Sequence, residues 1–152
     1  MIQRIQSVWL FLAGLTVLGL LFVPIVVADE GTTHYEITAN GLYSITNGVS
    51  QKLDTFIPLI VLTILVSLIF FVSIFNYKNR KVQKRGISIG IILMLVYSFI
   101  TSRYVTEIPG GIDNSTFSTG LYIPMAAIIF SMLAIRGINN DEKLIKSADR
   151  LR

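Results

Sequence analysis

Cysteine is absent from the 152 residues, and histidine occurs once. Without a thiol there is no disulfide staple, no thiolate metal site and no covalent haem attachment. One histidine, His34, among scattered acids forms no recognisable metal-ligand set and is expected in a solvated loop. Charge is scarce as well: 14% of the residues are Asp, Glu, Lys or Arg, against about a quarter in a soluble domain. The long apolar runs hold no Asp, Glu, Lys, Arg or His away from their ends. Intramembrane catalysis and ion transport use such groups, because keeping them in hydrocarbon is costly without a purpose. A serine nucleophile needs a neighbouring base, and the runs supply none. These absences point away from an enzyme, a cofactor and a metal.

Apolar residues, by contrast, make up 53% of the chain and fall in four blocks. A bilayer core about 30 Å thick needs roughly 20 helical residues at 1.5 Å each. The blocks place spans at about 8–27, 56–75, 86–104 and 118–135, with apolar residues all around each helix. The first run exceeds the 7–15 residues usual for a signal peptide, so it is expected as an uncleaved helix. Pro24 and Pro124 are placed to bend the outer ends of their helices, and Pro58 to follow an Asp54/Thr55 cap.

Charge sets the orientation. The head, the 76–85 loop and the 136–152 tail hold 11 of the 13 basic residues, among them Lys78, Arg80, Lys81, Lys84 and Arg85. The remaining loops, 28–55 and 105–117, hold six of the nine acids. The positive-inside rule then puts both termini in the cytoplasm. The net charge of +4 is a topology signal, not a nucleic-acid footprint. The five-base cluster, in addition, is able to hold anionic lipid.

In the first outer loop, Asn40-Gly41 is the favoured pair for a type I′ hairpin turn. Alternation places Tyr35, Ile37 and Ala39 with Leu42 and Ser44 on one face, and Tyr43 and Ile45 on the other. A short β-hairpin capping the helices is expected. Arg103 and Glu107, one turn apart, read as an interface ion pair.

Two patterns point to contacts. Gly86, Gly90, Met94, Ser98 and Ser102 recur every four residues, and Ala127 and Ser131 repeat the spacing, as rows that let helices approach closely. In the tail, Asn140 is placed as an N-cap, with acids following and bases last. Leu144, Ile145, Ala148 and Leu151 form one apolar stripe there. That stripe predicts a separate cytoplasmic amphipathic helix that docks on its own bundle, on lipid or on a partner.

The opening MIQRIQSVWL and the close LAIRGINNDEKLIKSADRLR, set on four spans, resemble a bacterial domain-of-unknown-function family of small four-span inner-membrane proteins. The resemblance covers essentially the whole chain. Ile2–Gln6 and Arg136–Arg152 are its most specific parts. It implies a bacterial cytoplasmic membrane and carries no activity with it.

The expected fold is therefore an all-α membrane protein: one domain, 1–152, built as a four-transmembrane-helix bundle with cytoplasmic termini, a hairpin outside and an amphipathic helix inside. Expected partners are the lipid bilayer and another membrane protein or complex, with no nucleic acid. The expected role is a non-catalytic accessory subunit; the alternative is a subunit of a small oligomeric transporter or channel. Reporter fusions after residues 40 and 112 are expected to read outside, and fusions after 80 and 152 inside. An inside reading at residue 40 sinks the orientation.

Overall fold

The structure is a computed structural model that describes residues 3–30, 33–46, 48–106 and 115–150. Four helices, α1 (Gln3–Gly19), α2 (Ile57–Phe75), α3 (Arg80–Val105) and α4 (Ile123–Arg150), form most of it. Five strands accompany them: β1 (Val26–Glu30), β2 (Thr33–Thr38), β3 (Gly41–Thr46), β4 (Val49–Asp54) and β5 (Ser115–Phe117). The strands make one antiparallel sheet in the order β4-β3-β2-β1-β5.

Each helix turns one seam inward. The seam positions are Gln6, Leu10, Ala13 and Val17 on α1, continuing to Leu20, and Leu59, Thr63, Val66, Phe70 and Ser73 on α2, with Gly14 and Ser67 buried beside them. On α3 they are Gln83, Ile87, Gly90, Met94, Tyr97 and Thr101, and on α4 Ala127, Ser131, Ala134, Ile138 and Asp141. Steps of four and three alternate in all four, which is the 3.5-residue repeat of left-handed bundle packing. Outside the seams, apolar side chains such as Val61, Leu68, Ile92, Leu95 and Phe99 are exposed. Helices α2, α3 and α4 are each long and apolar enough to cross a membrane, whereas α1 is shorter.

Neighbouring helices run antiparallel. Gln6 of α1 lies against Gly137 of α4, and Gly19 faces Ile123. Gly14 of α1 lies 3.0 Å, measured from where a Cβ would stand, from the Phe71 ring of α2. Lipid tails are as apolar as leucine, so burying the seams in a bilayer gains little by transfer; close backbone approach and polar links matter more. Ser67 supplies one such link, donating to the Gly14 carbonyl at 3.2 Å.

Several sequence expectations are corrected. The first apolar run does not remain helical to residue 27: α1 stops at Gly19, tight turns carry the chain to Val23, and Val26 and Val27 begin β1. Pro24 cannot donate a helical hydrogen bond, and the β-branched Val23, Ile25, Val26 and Val27 around it favour extended backbone. Pro24 consequently bends no helix. Nor is the fold all-α, because the expected hairpin is the centre of a five-stranded sheet. His34 is on strand β2, opposite Asp29 of β1, rather than in a loop.

The hairpin turn itself is displaced. Thr38 pairs with Gly41 and Ile37 with Leu42, so the loop residues are Ala39 and Asn40. Thr38 Oγ1 accepts from the Asn40 amide at 3.1 Å, and the Ala39 amide donates to the Leu20 carbonyl at 3.3 Å, which fixes that choice. Gly41 keeps a glycine requirement of another kind: its φ is 147°, and a Cβ there would stand 2.0 Å from the Asp54 carbonyl oxygen. The facing of residues 35, 37, 42 and 44 is as the alternation indicates, because the register moved by a full pleat.

At the other end, α3 starts at Arg80 with Asn79 as its cap, the Asn79 side chain accepting from the Val82 amide at 3.3 Å. The basic loop is thereby reduced to a 3-10 turn at Asn76–Lys78. At α2 the N-cap is Phe56, with Pro58 in the first turn, rather than Asp54 or Thr55. The separate tail helix does not exist: α4 is unbroken from Ile123 to Arg150, with Asn140 inside it. No proline follows Pro124, and the Gly137 penalty, about 1 kcal/mol, is too small to end a helix held by packing on both sides.

The four-residue ridge on α3 divides between two environments. Gly86 and Gly90 face α2, a Cβ at Gly90 falling 2.4 Å from the Phe70 ring, but Ser98 and Ser102 are exposed. A row taken every four residues drifts around a helix of 3.6 residues per turn, and the packed line follows the four-three seam instead. Gly90→Ala is therefore expected to lower stability by about 1–3 kcal/mol through overpacking, with Phe70→Leu recovering part of it. Ser98→Leu should change the thermal melt in detergent little.

Candidate functional site

Two places stand out, one at each end of the bundle. At the sheet end, α3 and α4 make less contact than the other helix neighbours, and a cavity of about 470 Å³ opens between them. Val105 of α3, Leu121 and Pro124 at the start of α4, Ile25 and Val26 beside β1, and Phe117 of β5 wall it. The sheet holds that wall in place: Val26 pairs with Phe117, the Ser118 amide donates to the Ile25 carbonyl at 3.0 Å, and the Gly120 amide donates to that of Pro24 at 3.0 Å.

Tyr97, Ser98, Phe99, Thr101, Ser102, Arg103 and Thr106 complete the lining. The hydroxyls of the helices can be accounted for one by one. Thr16, Thr63, Ser73, Ser98 and Ser131 each donate to the carbonyl four residues earlier in their own helix. Ser102 donates to the Phe99 carbonyl. Tyr97 and Thr101 differ: both hydroxyl oxygens are buried out of contact with the cavity, and the Tyr97 hydroxyl lies beside those of Thr101 and of Thr63 on α2 as a small polar cluster inside the bundle. Arg103 stands at the exposed rim, and among the described residues no carboxylate pairs with it. Its expected partner, Glu107, lies outside the described residues.

At the opposite, basic end the polar groups are saturated. Gln6 Nε2 donates to Asp141 Oδ2 in a buried contact joining α1 to α4. Lys84 joins α3 to α4, with Nζ 2.9 Å from Glu142 and 3.2 Å from Asn139. Of the five clustered bases, Lys84 is thus a structural tie, while Lys78, Lys81 and Arg85 are exposed and Arg80 is half-buried. Arg85 and Gly86 also border an open apolar groove between α2 and α3 that contains Leu65 and Leu68.

The proposed docking stripe is divided. Leu144 and Ile145 are 55% and 49% exposed, so about half of each is open to the surroundings. Leu151 and the side chain of Ala148 lie outside the described residues. The residue this part of α4 buries is Asp141, which hydrophobic periodicity could not single out; its signal is the seam continued three residues past Ile138. Ala127 and Ser131 are buried on the α4 seam. Among the described residues no three of His, Cys, Asp and Glu come together as a metal set. His34 meets Asp29 alone, Nδ1 to Oδ1 at 2.5 Å, both exposed.

These features define a class: a helical bundle with three membrane-length helices, a strand cap at one end and a basic, ion-paired face at the other. The chain belongs to the family described as Domain of unknown function (DUF4293), whose model matches residues 2–151. No curated protein matches it in sequence.

The basic end gives a stability prediction. Asp141→Ala leaves the buried Gln6 amide without its acceptor and should cost about 1–3 kcal/mol. Glu142→Gln, at a partly exposed pair, should cost under about 1 kcal/mol. Thermal unfolding of the two purified variants in detergent compares them directly, and equal losses would contradict the assignment of Asp141 as the tie.

Proposed function

We propose that this chain is a non-catalytic multi-pass protein of the bacterial inner membrane that serves as an accessory subunit of a larger membrane complex. In this reading all four helices lie in the bilayer, both termini are cytoplasmic, and the sheet faces outward. The asymmetry of basic residues supports the orientation, and three helices of membrane length support the insertion. For α1, about 25 Å long at 17 residues, the turns from Leu20 to Val23 supply the remaining depth.

One observation carries the docking role. Helix α4 extends past its last contacts with α1 and presents Leu144 and Ile145 to solvent on a rod clamped by Asp141–Gln6 and Glu142–Lys84. A single-chain protein gains nothing from holding two large aliphatic side chains rigidly in water. A partner with an apolar groove rimmed by acids would cover them and meet Lys78, Lys81 and Arg85 beside them. The transporter or channel alternative needs a wetted polar path; hydroxyls satisfied by their own helix backbones do not provide one.

The test is purification of the full chain in mild detergent after cross-linking in cells, with Leu144→Asp/Ile145→Asp beside the parent and Lys143→Gln as control. Loss of a defined larger species in the double variant, with membrane insertion and the Lys143→Gln species unchanged, is the expected result. A ladder containing only copies of this chain favours the oligomeric alternative. A monomer in every sample overturns both.

A further inference from the structure

The docking role leaves the sheet-end cavity unused. Its position is specific: it opens sideways between α3 and α4, at the level where α3 passes from apolar to polar sequence. Its volume, about 470 Å³, lies within the range of small-ligand pockets, and its walls are almost wholly apolar. A water-filled cavity of that size would need many more polar partners than this one presents. The hydroxyls of Tyr97 and Thr101 lie beside one another in the interior and leave the cavity wall to carbon. One cation, Arg103, sits at the mouth, six residues or roughly 9 Å along α3 from Tyr97. Apolar depth and a rim cation match an amphiphile with an anionic head.

We propose that the cavity between α3 and α4 holds one acyl chain of an anionic phospholipid, whose phosphate is bound by Arg103. Thr101 and Tyr97 line the channel below the head with carbon atoms, their hydroxyl oxygens being buried. Phe117, brought there by β5 pairing with β1, closes the channel against the sheet. The same guanidinium would bind a free glycerol phosphate, but the walls would then contribute nothing, so the chain-bearing lipid is the ligand that uses the whole site. The inference rests on the membrane placement proposed above and is independent of any docking partner.

Native mass spectrometry of the full chain in detergent tests this directly. The probes are phosphatidylglycerol, phosphatidylcholine of the same chains, and glycerol phosphate, each titrated separately. The parent should retain one phosphatidylglycerol in preference to phosphatidylcholine, and no glycerol phosphate. Arg103→Gln should weaken phosphatidylglycerol retention about tenfold or more, since a charge-assisted contact is lost, and abolish the preference between the lipids. Ser102→Phe places a ring into the cavity from an exposed position and should remove the retained lipid altogether; Ser98→Phe, also exposed, serves the same purpose if the first variant melts early. Equal retention of both lipids by the parent overturns the proposal, as does retention unaffected by either phenylalanine, which would mark ordinary annular lipid. Binding of glycerol phosphate as tight as that of the lipid also overturns it. Membrane placement is read separately, by whether the chain requires detergent for extraction, so its failure is distinguishable from that of the lipid site.

Discussion

The antiparallel seam between α1 and α4 is the contact on which the rest is arranged, and its two sides are unequal in length. Helix α1 has 17 residues and ends at Gly19; α4 has 28 and continues. Where α1 stops, the backbone still needs partners, and apolar surroundings supply none. The sheet supplies them. The Ile25 amide donates to the Ile37 carbonyl at 2.7 Å, and the Ala39 amide returns to Leu20, the last residue of the α1 seam. Buried Val26, Ala28, Ile37 and Ala39 then extend the core beyond the helices. A strand exposed along its whole length, β4, forms the outer edge, and Lys52 over the Tyr43 ring belongs to the devices that discourage edge-to-edge pairing.

Commitment of α4 to α1 also explains the looseness elsewhere. A helix has one seam of this kind, and on α4 it is taken by Ala127, Ser131 and Ala134. Helix α3 commits its glycines to α2 through Phe70, and Phe56 stacks on Tyr104 at 4.1 Å between ring centroids. The α3–α4 junction is left to be tied at the basic end by Lys84 and to stand apart at the sheet end. An opening at that corner follows from the packing rather than from any one residue.

Much of this was legible in the sequence, for identifiable reasons. Long uninterrupted apolar runs located α2, α3 and the membrane-length part of α4, since nothing else uses such runs. Alternation around Tyr35, Ile37, Leu42 and Ser44 located the central hairpin. What stayed hidden was of three kinds. Strand β1 lay inside an apolar run that reads equally well as helix, and only Pro24 with its β-branched neighbours marks the change. Strands β4 and β5, VSQKLD and STF, have no periodicity to read; they are strands because β3 and β1 offer them ladders. The tail looked like a separate helix because Asn140-Asp141-Glu142 makes a good start signal, yet Asp141 and Glu142 serve tertiary contacts instead. A capping pattern and a pair of interhelical ties have the same composition. Of the candidate site, the basic cluster and Leu144 and Ile145 were visible as pattern, while the cavity, built from four separate segments, was not.

The two ends differ in what they leave for recognition. At the basic end, polar groups satisfy one another, Gln6 with Asp141 and Lys84 with Glu142 and Asn139, so what remains available is aliphatic surface and the exposed cations Lys78, Lys81, Arg85, Arg136 and Lys143. Such a surface selects a partner by shape and acidity, and the internal ties keep its spacing fixed. At the sheet end the balance is reversed: the walls are apolar, and a cation, Arg103, stands at the rim. That site selects by what can enter between two helices. Helix α3 links the two over 26 residues, roughly 39 Å, so a substitution at one end shares no neighbour with the other. Effects at the two ends should then add. Coupling between them would require α4, which runs through both, to move as a rod against α1, and the buried Gln6–Asp141 contact opposes that motion.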